Sequence, residues 1–261
     1  AIALITLRIS WQQGLIYSLL GSAVLATVTY LLKQDASLGF LAGLIGWLPI
    51  VFFAAVLAQT RSWQSTLQAI LVVSAIGVLL FHAYQVDTVL FWQTSLEPFK
   101  PALTEAYQLE SNQIDELIQS MSKWMTGVFA AAVAVSAALA LLLARHWQAM
   151  LYNPGGFGEE FRQLRVGKVS AIAMIVCIVL AILSNNIIAT ELLIIAVGIF
   201  MLQGIALAHS IVNQRGMKPF WLVALYVLLF ILLAQMIVLL AAFGIIDNFV
   251  DFRRKIASRS D

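Results

Sequence analysis

Charge is the scarcest property of this sequence. Only 11% of its 261 residues are charged, whereas 62% are hydrophobic. A soluble domain typically carries about 25% charged residues, so this chain has too little polar surface to remain in water. Its net charge of +2 also excludes the strongly basic surface with which proteins hold nucleic acid.

Cysteine and the common catalytic motifs are missing as well. The one cysteine, Cys177, lies inside an apolar run, so no disulfide framework exists. His82, His146 and His209 show no metal-ligand spacing, and no glycine-rich loop ends in Lys-Ser/Thr. We therefore expect no metal, no cofactor and no enzymatic activity.

Long apolar runs fill most of the chain instead. A helix of about 20 apolar residues crosses the hydrocarbon core of a bilayer, and we predict about seven such spans, with six to eight as the range. The fold class is thus all-α, a polytopic transmembrane helix bundle forming one integral membrane domain over 1–261 and contacting the lipid bilayer. The predicted spans are 14–32, 37–59, 65–82, 124–144, 169–185, 188–211 and 219–243.

The loops between these runs differ in charge. The 83–123 segment is acidic, whereas Arg61, the 145–168 connector and the 212–218 loop are basic. Basic loops stay in the cytoplasm, so we expect the connector and the N-terminal end there and the 83–123 segment outside. The basic tail should also be cytoplasmic, which seven spans do not allow. Either one span is miscounted or 219–246 is a re-entrant or broken helix. The basic tail residues are Arg253, Arg254, Lys255 and Arg259.

The 83–123 outer loop contains an amphipathic pattern. Pro98 and Pro101 end what precedes them, and from Leu109 onward apolar residues recur at helical spacing. We expect an amphipathic helix on the outer membrane surface. A solvated extension of the fourth span and a lid over a cavity are the alternatives. The apolar positions are Ile114, Leu117, Ile118 and Met121.

The 145–168 connector combines a forced turn with an apolar stripe. Asn153, Pro154, Gly155 and Gly156 cannot continue a helix. After them Phe157, Phe161 and Leu164 repeat at helical spacing, with Arg162 and Arg165 off that stripe. We expect a short cytoplasmic interfacial helix with its phenylalanines in the inner leaflet. The alternative is a docking surface for a protein partner at the cytoplasmic face.

Polar residues inside the apolar runs are the other candidates for function, because burying them in lipid is costly. Glu191 is either a membrane-edge residue or a ligand or ion contact. Gln203 and Gln235 are expected to bond each other across helices. Asp247 and Arg253 either pair or face the connector. The full set of candidate ligand or partner contacts is Asn153, Pro154, Gly155, Gly156, Phe157, Phe161, Arg165, Glu191, Gln203, Gln235, Asp247 and Arg253.

Two segments carry a resemblance to a known family. The run from Arg145 to Arg165, with its Asn-Pro-Gly-Gly-Phe, and the ending from Gly244 through Asp247 to Arg253 resemble the YybS-like family of bacterial membrane proteins. That family is distantly similar in span pattern to the S components of energy-coupling factor transporters. The resemblance implies a bacterial inner membrane, a six-helix core, a small-molecule pocket near the outer face and a partner docked on the helices.

Two functions follow from these expectations. The first is a non-enzymatic inner-membrane protein that binds or transports a small-molecule ligand as an S-component-like module. The alternative is a scaffold or assembly factor of an envelope complex that docks a partner through the 145–168 connector. An intramembrane enzyme acting on lipid through Glu191 or Asp247 is a third, weaker hypothesis.

Overall fold

The computed structural model describes residues 1–108 and 110–257, and these ranges are helical throughout apart from short connections. Leu109, where the outer amphipathic pattern begins, and Arg259 lie outside the described residues. The helices are α1 (Ile2–Arg8), α2 (Trp11–Leu31), α3 (Ala36–Thr60), α4 (Trp63–Tyr84), α5 (Thr88–Leu96), α6 (Lys100–Tyr107), α7 (Ser111–Ser122), α8 (Met125–Tyr152), α9 (Gly156–Arg162), α10 (Lys168–Ser184), α11 (Ile187–Gln214), α12 (Phe220–Ile231), α13 (Leu233–Val250) and α14 (Phe252–Ala257), with a 3₁₀ turn at Glu97–Phe99.

Six of the described helices, α2, α3, α4, α8, α11 and α13, are long and apolar enough to cross a membrane. Two shorter apolar helices, α10 and α12, have 17 and 12 residues. At a rise of about 1.5 Å per residue, α10 is nearly as long as the hydrocarbon core is thick and α12 is much shorter. The polytopic helix bundle is confirmed, and α11 is its most buried span, packed against α4, α8, α10 and α13.

Polar side chains begin the long helices. Ser10, Asp35, Ser62 and Asn186 each accept a hydrogen bond from a backbone N–H in the first turn of the helix that follows. The first N–H groups of a helix have no partner within the helix, and such a cap supplies one. These residues therefore set where α2, α3, α4 and α11 begin.

The last apolar segment is broken. Helix α12 ends and α13 begins at Leu232, whose φ of −114° and ψ of 49° are not helical. Helix α12 starts just after α11 ends. The hydroxyl of Tyr226 on α12 lies 2.9 Å from Nε2 of His209, which is near the C-terminal end of α11. Arg253, which follows α13, lines a cavity together with Ser210 and Asn213 near that same end of α11. The chain thus leaves this end through α12 and returns to it through α13.

This hairpin resolves the conflict over the basic tail. The span predicted at 219–243 is not a single crossing, and the broken-helix alternative is the correct one. Residues Arg253 and Arg254 come back to the face of the bundle that holds the connector, which we call the connector face. The loops at 32–35 and 185–186 and the described parts of the α4–α8 connection, 85–108 and 110–124, lie at the other end of the spans, which we call the opposite face.

Two glycines allow α13 to lie directly against α11. A Cβ added at Gly204 would meet the Leu240 carbonyl oxygen at 2.0 Å, and one at Gly244 would meet the Phe200 carbonyl oxygen at 2.3 Å. Small residues permit this kind of backbone contact between membrane helices. The close contact fixes the register that brings the end of α13 beside Gln203.

The opposite face carries a layer of short helices. Helix α7 buries Ile114 and Ile118 while Met121 stays exposed, and it packs on α5. A capping box between Glu110 and Gln113 begins it. Because the chain leaves helical geometry at Trp124, α7 is a separate amphipathic helix and not an extension of α8.

Candidate functional site

The connector folds inward onto the bundle. Phe157 and Phe161 are half-buried against the hydrophobic core. Their rings lie 5.2 Å from His146 and 5.4 Å from His209 respectively, between ring centres. Leu164 is buried behind them. The phenylalanines thus pack in part against the protein's own helices, and the expectation that the stripe dips into the inner leaflet stays a prediction for their exposed side.

The turn that precedes α9 remains on the surface. Asn153, Pro154 and Gly155 are exposed, and Gly155 has a φ of +89°, a conformation that favours glycine. The Asn153 amide lies over Gly156, where an added Cβ would meet its nitrogen at 2.2 Å. These four residues shape the turn and are remote from the polar cluster described below.

A carboxylate holds α9 in place. Glu160 Oε1 accepts from the Trp63 indole N–H at 2.5 Å and from Arg145 Nε at 3.0 Å. Arg145 also donates to Gln148 at 2.7 Å. Helix α9 is therefore bonded to both α4 and α8.

Residues 164–167, which we call the connector segment, lie outside regular secondary structure and are bonded by side chains from the surrounding helices. Val166 donates its N–H to Gln203 Oε1 at 2.8 Å and accepts from Gln68 Nε2 at 3.0 Å. Gly167 donates its N–H to Asn248 Oδ1 at 3.1 Å. A buried backbone outside regular structure needs such partners, and here α4, α11 and α13 supply them.

Gly167 is required at this position for a second reason. Its φ is +103°, and an added Cβ would meet the Gln64 amide nitrogen at 2.7 Å. A side chain there would strain the backbone and displace the glutamines of α4. The glycine thus lets the connector segment pack directly against α4.

A cluster of charged side chains from α13, α14 and the connector segment itself, which we call the ionic cluster, lies beside this segment. Asp247, which is fully buried, lies 3.3 Å from Arg253 Nη2 and 3.7 Å from Arg165 Nε. Arg165 also pairs with Asp251, and Arg253 donates to the Leu164 carbonyl at 2.9 Å. The Arg165 hydrogen bond lowers the pKa of the Asp251 carboxyl, whereas burial lowers the pKa of the Arg253 guanidinium.

Several predicted site residues meet in this cluster. Arg165, Gln203, Asp247 and Arg253 come together, and both expectations for Asp247 and Arg253, pairing and contact with the connector, are fulfilled at once. The predicted bond between Gln203 and Gln235 is wrong. Gln203 donates to Asp247 at 3.4 Å and accepts from Asn248 at 3.3 Å, while Gln235 is exposed on α13.

An apolar cavity of about 520 Å³ lies between α3, α4 and α8 in the half of the bundle toward the opposite face. Phe91, Trp92 and Ser95 of α5 form its roof. Trp92 donates to Thr126 Oγ1 at 2.9 Å, which fastens this roof to the start of α8. The remaining lining residues are Ile45, Pro49, Phe53, Val73, Ser74, Gly77, Val78, Phe81, Phe129, Ala130, Val133 and Ala134.

Two titratable side chains, His82 and the buried Glu191, pair next to the cavity. Glu191 is 1% exposed, and its Oε2 lies 2.6 Å from His82 Nε2. The Glu191 backbone and side chain pack against Gly127, next to the cavity residue Thr126. Glu191 is therefore a paired residue inside the bundle. Its partner His82 was not among the predicted site residues.

Of the two site residues that pattern reasoning missed, His82 and Trp92, only His82 carries a signal in the sequence. His82 lies near the end of α4 and Glu191 near the start of α11, and an alternating topology places both ends on the same face. A histidine and a carboxylate at the same membrane depth are expected to pair, because each lowers the cost of burying the other. Trp92 gives no comparable signal, since its contact with Thr126 depends on how α5 folds back.

The helices, the buried connector and the cavity together define a polytopic helical membrane protein. Its chain belongs to the family described as Predicted membrane protein (DUF2232), whose model matches residues 1–248. No curated protein and no solved structure matches the chain.

Proposed function

We propose that this protein binds an apolar or amphipathic small molecule in the cavity beneath α5, as the capture module of a membrane binding or transport system. The cavity itself carries the proposal. It measures about 520 Å³ and is open along one side, where exposed residues line it. That volume is typical of small-molecule sites.

The chemistry of the lining defines the ligand class. Ile45, Phe129 and Val133 line the cavity and are also strongly exposed, so the cavity opens sideways to the lipid. A ligand would enter from the bilayer, with an apolar body among the phenylalanines and a polar end beside Thr126 and Ser95. Among the residues that the structure describes, no charged side chain lines the cavity, which disfavours a fully polar solute.

The charge pattern supports an orientation for this binding. The connector face carries Arg61 and the basic connector, so we propose that it is cytoplasmic and that the membrane is the bacterial inner membrane. The N-terminal end is then cytoplasmic, and the cavity faces the outer leaflet. A pocket near the outer face is what the resemblance to the YybS-like family and to transporter S components implies, and on that ground we extend the proposal to S-component-like capture.

Partner docking through the 145–168 connector is the weaker candidate. Its motivation was the phenylalanine stripe, but Phe157 and Phe161 pack inward. The connector surface left for a protein partner is the exposed turn at 153–155 and the exposed side chains of Met150, Leu151 and Tyr152 before it.

Two glycine substitutions on neighbouring helices test the proposal. Gly77 lines the cavity, and a Cβ there meets nothing within 4 Å, so Gly77→Phe fills the cavity without a clash at its first atom. Gly46 on α3 is equally open but does not line the cavity, so Gly46→Phe is the matched control. The probe is cis-parinaric acid, a fluorescent fatty acid that brightens in apolar surroundings, titrated into the full chain in nanodiscs.

The wild type and Gly46→Phe should show saturable binding. Gly77→Phe should weaken it by about tenfold or more, which corresponds to about 1.4 kcal/mol. Equal binding by the two variants, or no saturable binding by the wild type above empty nanodiscs, would remove the basis of the proposal.

A further inference from the structure

A second cavity, of about 450 Å³, opens on the connector face and is polar in character. Three guanidinium groups from separate elements line it: Arg162 from α9, Arg165 from the connector segment and Arg253 from α14. Ser210 and Asn213 of α11 supply a hydroxyl and an amide. This site lies at the other end of the bundle from the apolar cavity beneath α5.

The cationic charge of the lining exceeds its anionic charge. Glu159 is the one carboxylate among the lining residues. Within the described ranges, neither Arg162 nor Glu159 belongs to an ion pair, whereas Arg165 and Arg253 share Asp247 and Arg165 also pairs with Asp251. Arg162 is thus the lining arginine whose guanidinium no carboxylate of the described residues engages.

Arg253 has donors that nothing in the described chain satisfies. Its side chain is 9% exposed, yet its Nε and Nη1 have no hydrogen-bond partner among the described residues. Burying a guanidinium N–H without an acceptor is unfavourable. Both nitrogens are themselves buried, and the Asp247 carboxylate that Arg253 contacts also has an oxygen, Oδ1, without a partner. An anion would therefore reach these donors only after Arg253 turns toward the cavity that it lines.

We propose that this cavity binds a phosphate ester that carries hydroxyl groups. Arginine forks match the paired oxygens of phosphate, and three such forks from different elements line this cavity, one of them, Arg162, without a carboxylate partner among the described residues. Ser210, Asn213 and Glu159 surround the arginines with groups that bond hydroxyls. The ester is either the headgroup of an anionic lipid at this membrane surface or a soluble phosphorylated polyol.

Arg162→Gln is the decisive variant because Arg162 makes no ion pair within the described residues, so its loss leaves the ionic cluster intact. Arg215→Gln is the matched control, since Arg215 lies on the same face but does not line the cavity. Arg253→Gln would also break the bond to Leu164 and risks misfolding, so thermal unfolding is followed for every variant.

Two arms use the full chain and named probes. In the first, glycerol phosphate is titrated into protein held in phosphatidylcholine nanodiscs, and binding is read by calorimetry. In the second, the nanodiscs contain phosphatidylglycerol, and native mass spectrometry counts the lipids that the protein retains. Arg162→Gln should weaken binding by about tenfold to a hundredfold, the effect of losing one charged hydrogen bond, while Arg215→Gln should not.

Each outcome is informative. Binding in the first arm supports a soluble ester, and binding in the second arm alone supports a lipid headgroup. Binding in neither arm, or equal weakening by Arg162→Gln and Arg215→Gln, overturns the proposal. Gly77→Phe should leave this binding unchanged, so failure here and failure of the apolar cavity are distinguished.

Discussion

Replacing Gln203 by leucine should destabilise the fold strongly. Gln203 is fully buried, and its amide bonds three groups from two other parts of the chain. It accepts from Val166 N–H at 2.8 Å and from Asn248 Nδ2 at 3.3 Å, and it donates to Asp247 at 3.4 Å. Leucine has a similar size, so the variant removes these bonds with little change in packing.

The size of this loss of stability follows from the hydrogen bonds and ion pairs that each partner of Gln203 keeps in the variant. Asn248 Nδ2 keeps its bond to the Gly244 carbonyl at 2.8 Å, and Asp247 keeps Arg253, so each of these losses costs about 1 kcal/mol or less. Val166 is fully buried, and its N–H loses the acceptor that Gln203 provides. An unsatisfied buried donor costs about 1–3 kcal/mol, so we expect Gln203→Leu to lower the free energy of unfolding by about 2–4 kcal/mol.

Gln235→Leu is the matched control, because it makes the same change on the exposed, lipid-facing side of α13. It should change stability by about 0.5 kcal/mol or less, or raise it, because leucine is favoured in lipid. Thermal and denaturant unfolding of both variants in one detergent measure the difference. If the two glutamines bonded each other, both variants would lose a similar amount, about 1 kcal/mol, and the double variant would not be additive. That result would refute the cluster as described.

Two further predictions concern α13 and the hairpin. Gly204→Ala should lose about 1–3 kcal/mol of stability, because its Cβ would lie 2.0 Å from a carbonyl oxygen. Gly46→Ala, whose Cβ meets nothing, should gain up to about 1 kcal/mol, and equal unfolding temperatures would contradict the close contact of α11 and α13. In a background without the natural cysteine, Arg215→Cys and Arg254→Cys should react with an impermeant maleimide from the same side of the membrane and Asn112→Cys from the other. Labelling of the first two from opposite sides would rule out the hairpin.

The membrane class and the main spans were predictable from composition and apolar runs alone. Lipid cannot hydrogen-bond a backbone, so a chain in lipid must form helices whose side chains are apolar over about 20 residues. The starts of these helices were also predictable, because polar residues cap helices at the membrane interface. Asp35 and Asn186 cap α3 and α11 in this way. The amphipathic α7 was likewise visible from the spacing of Ile114 and Ile118.

Tertiary contacts decided the rest. No proline or glycine marks the break at Leu232, so the sequence showed only that the charge of the tail conflicted with a single span. Periodicity placed Phe157 and Phe161 on one stripe, but whether lipid, a partner or the protein's own helices cover a stripe depends on packing. The partners of Gln203 were hidden for the same reason: a buried amide needs partners, but which ones it finds depends on how the connector and the returning α13 fold beside it.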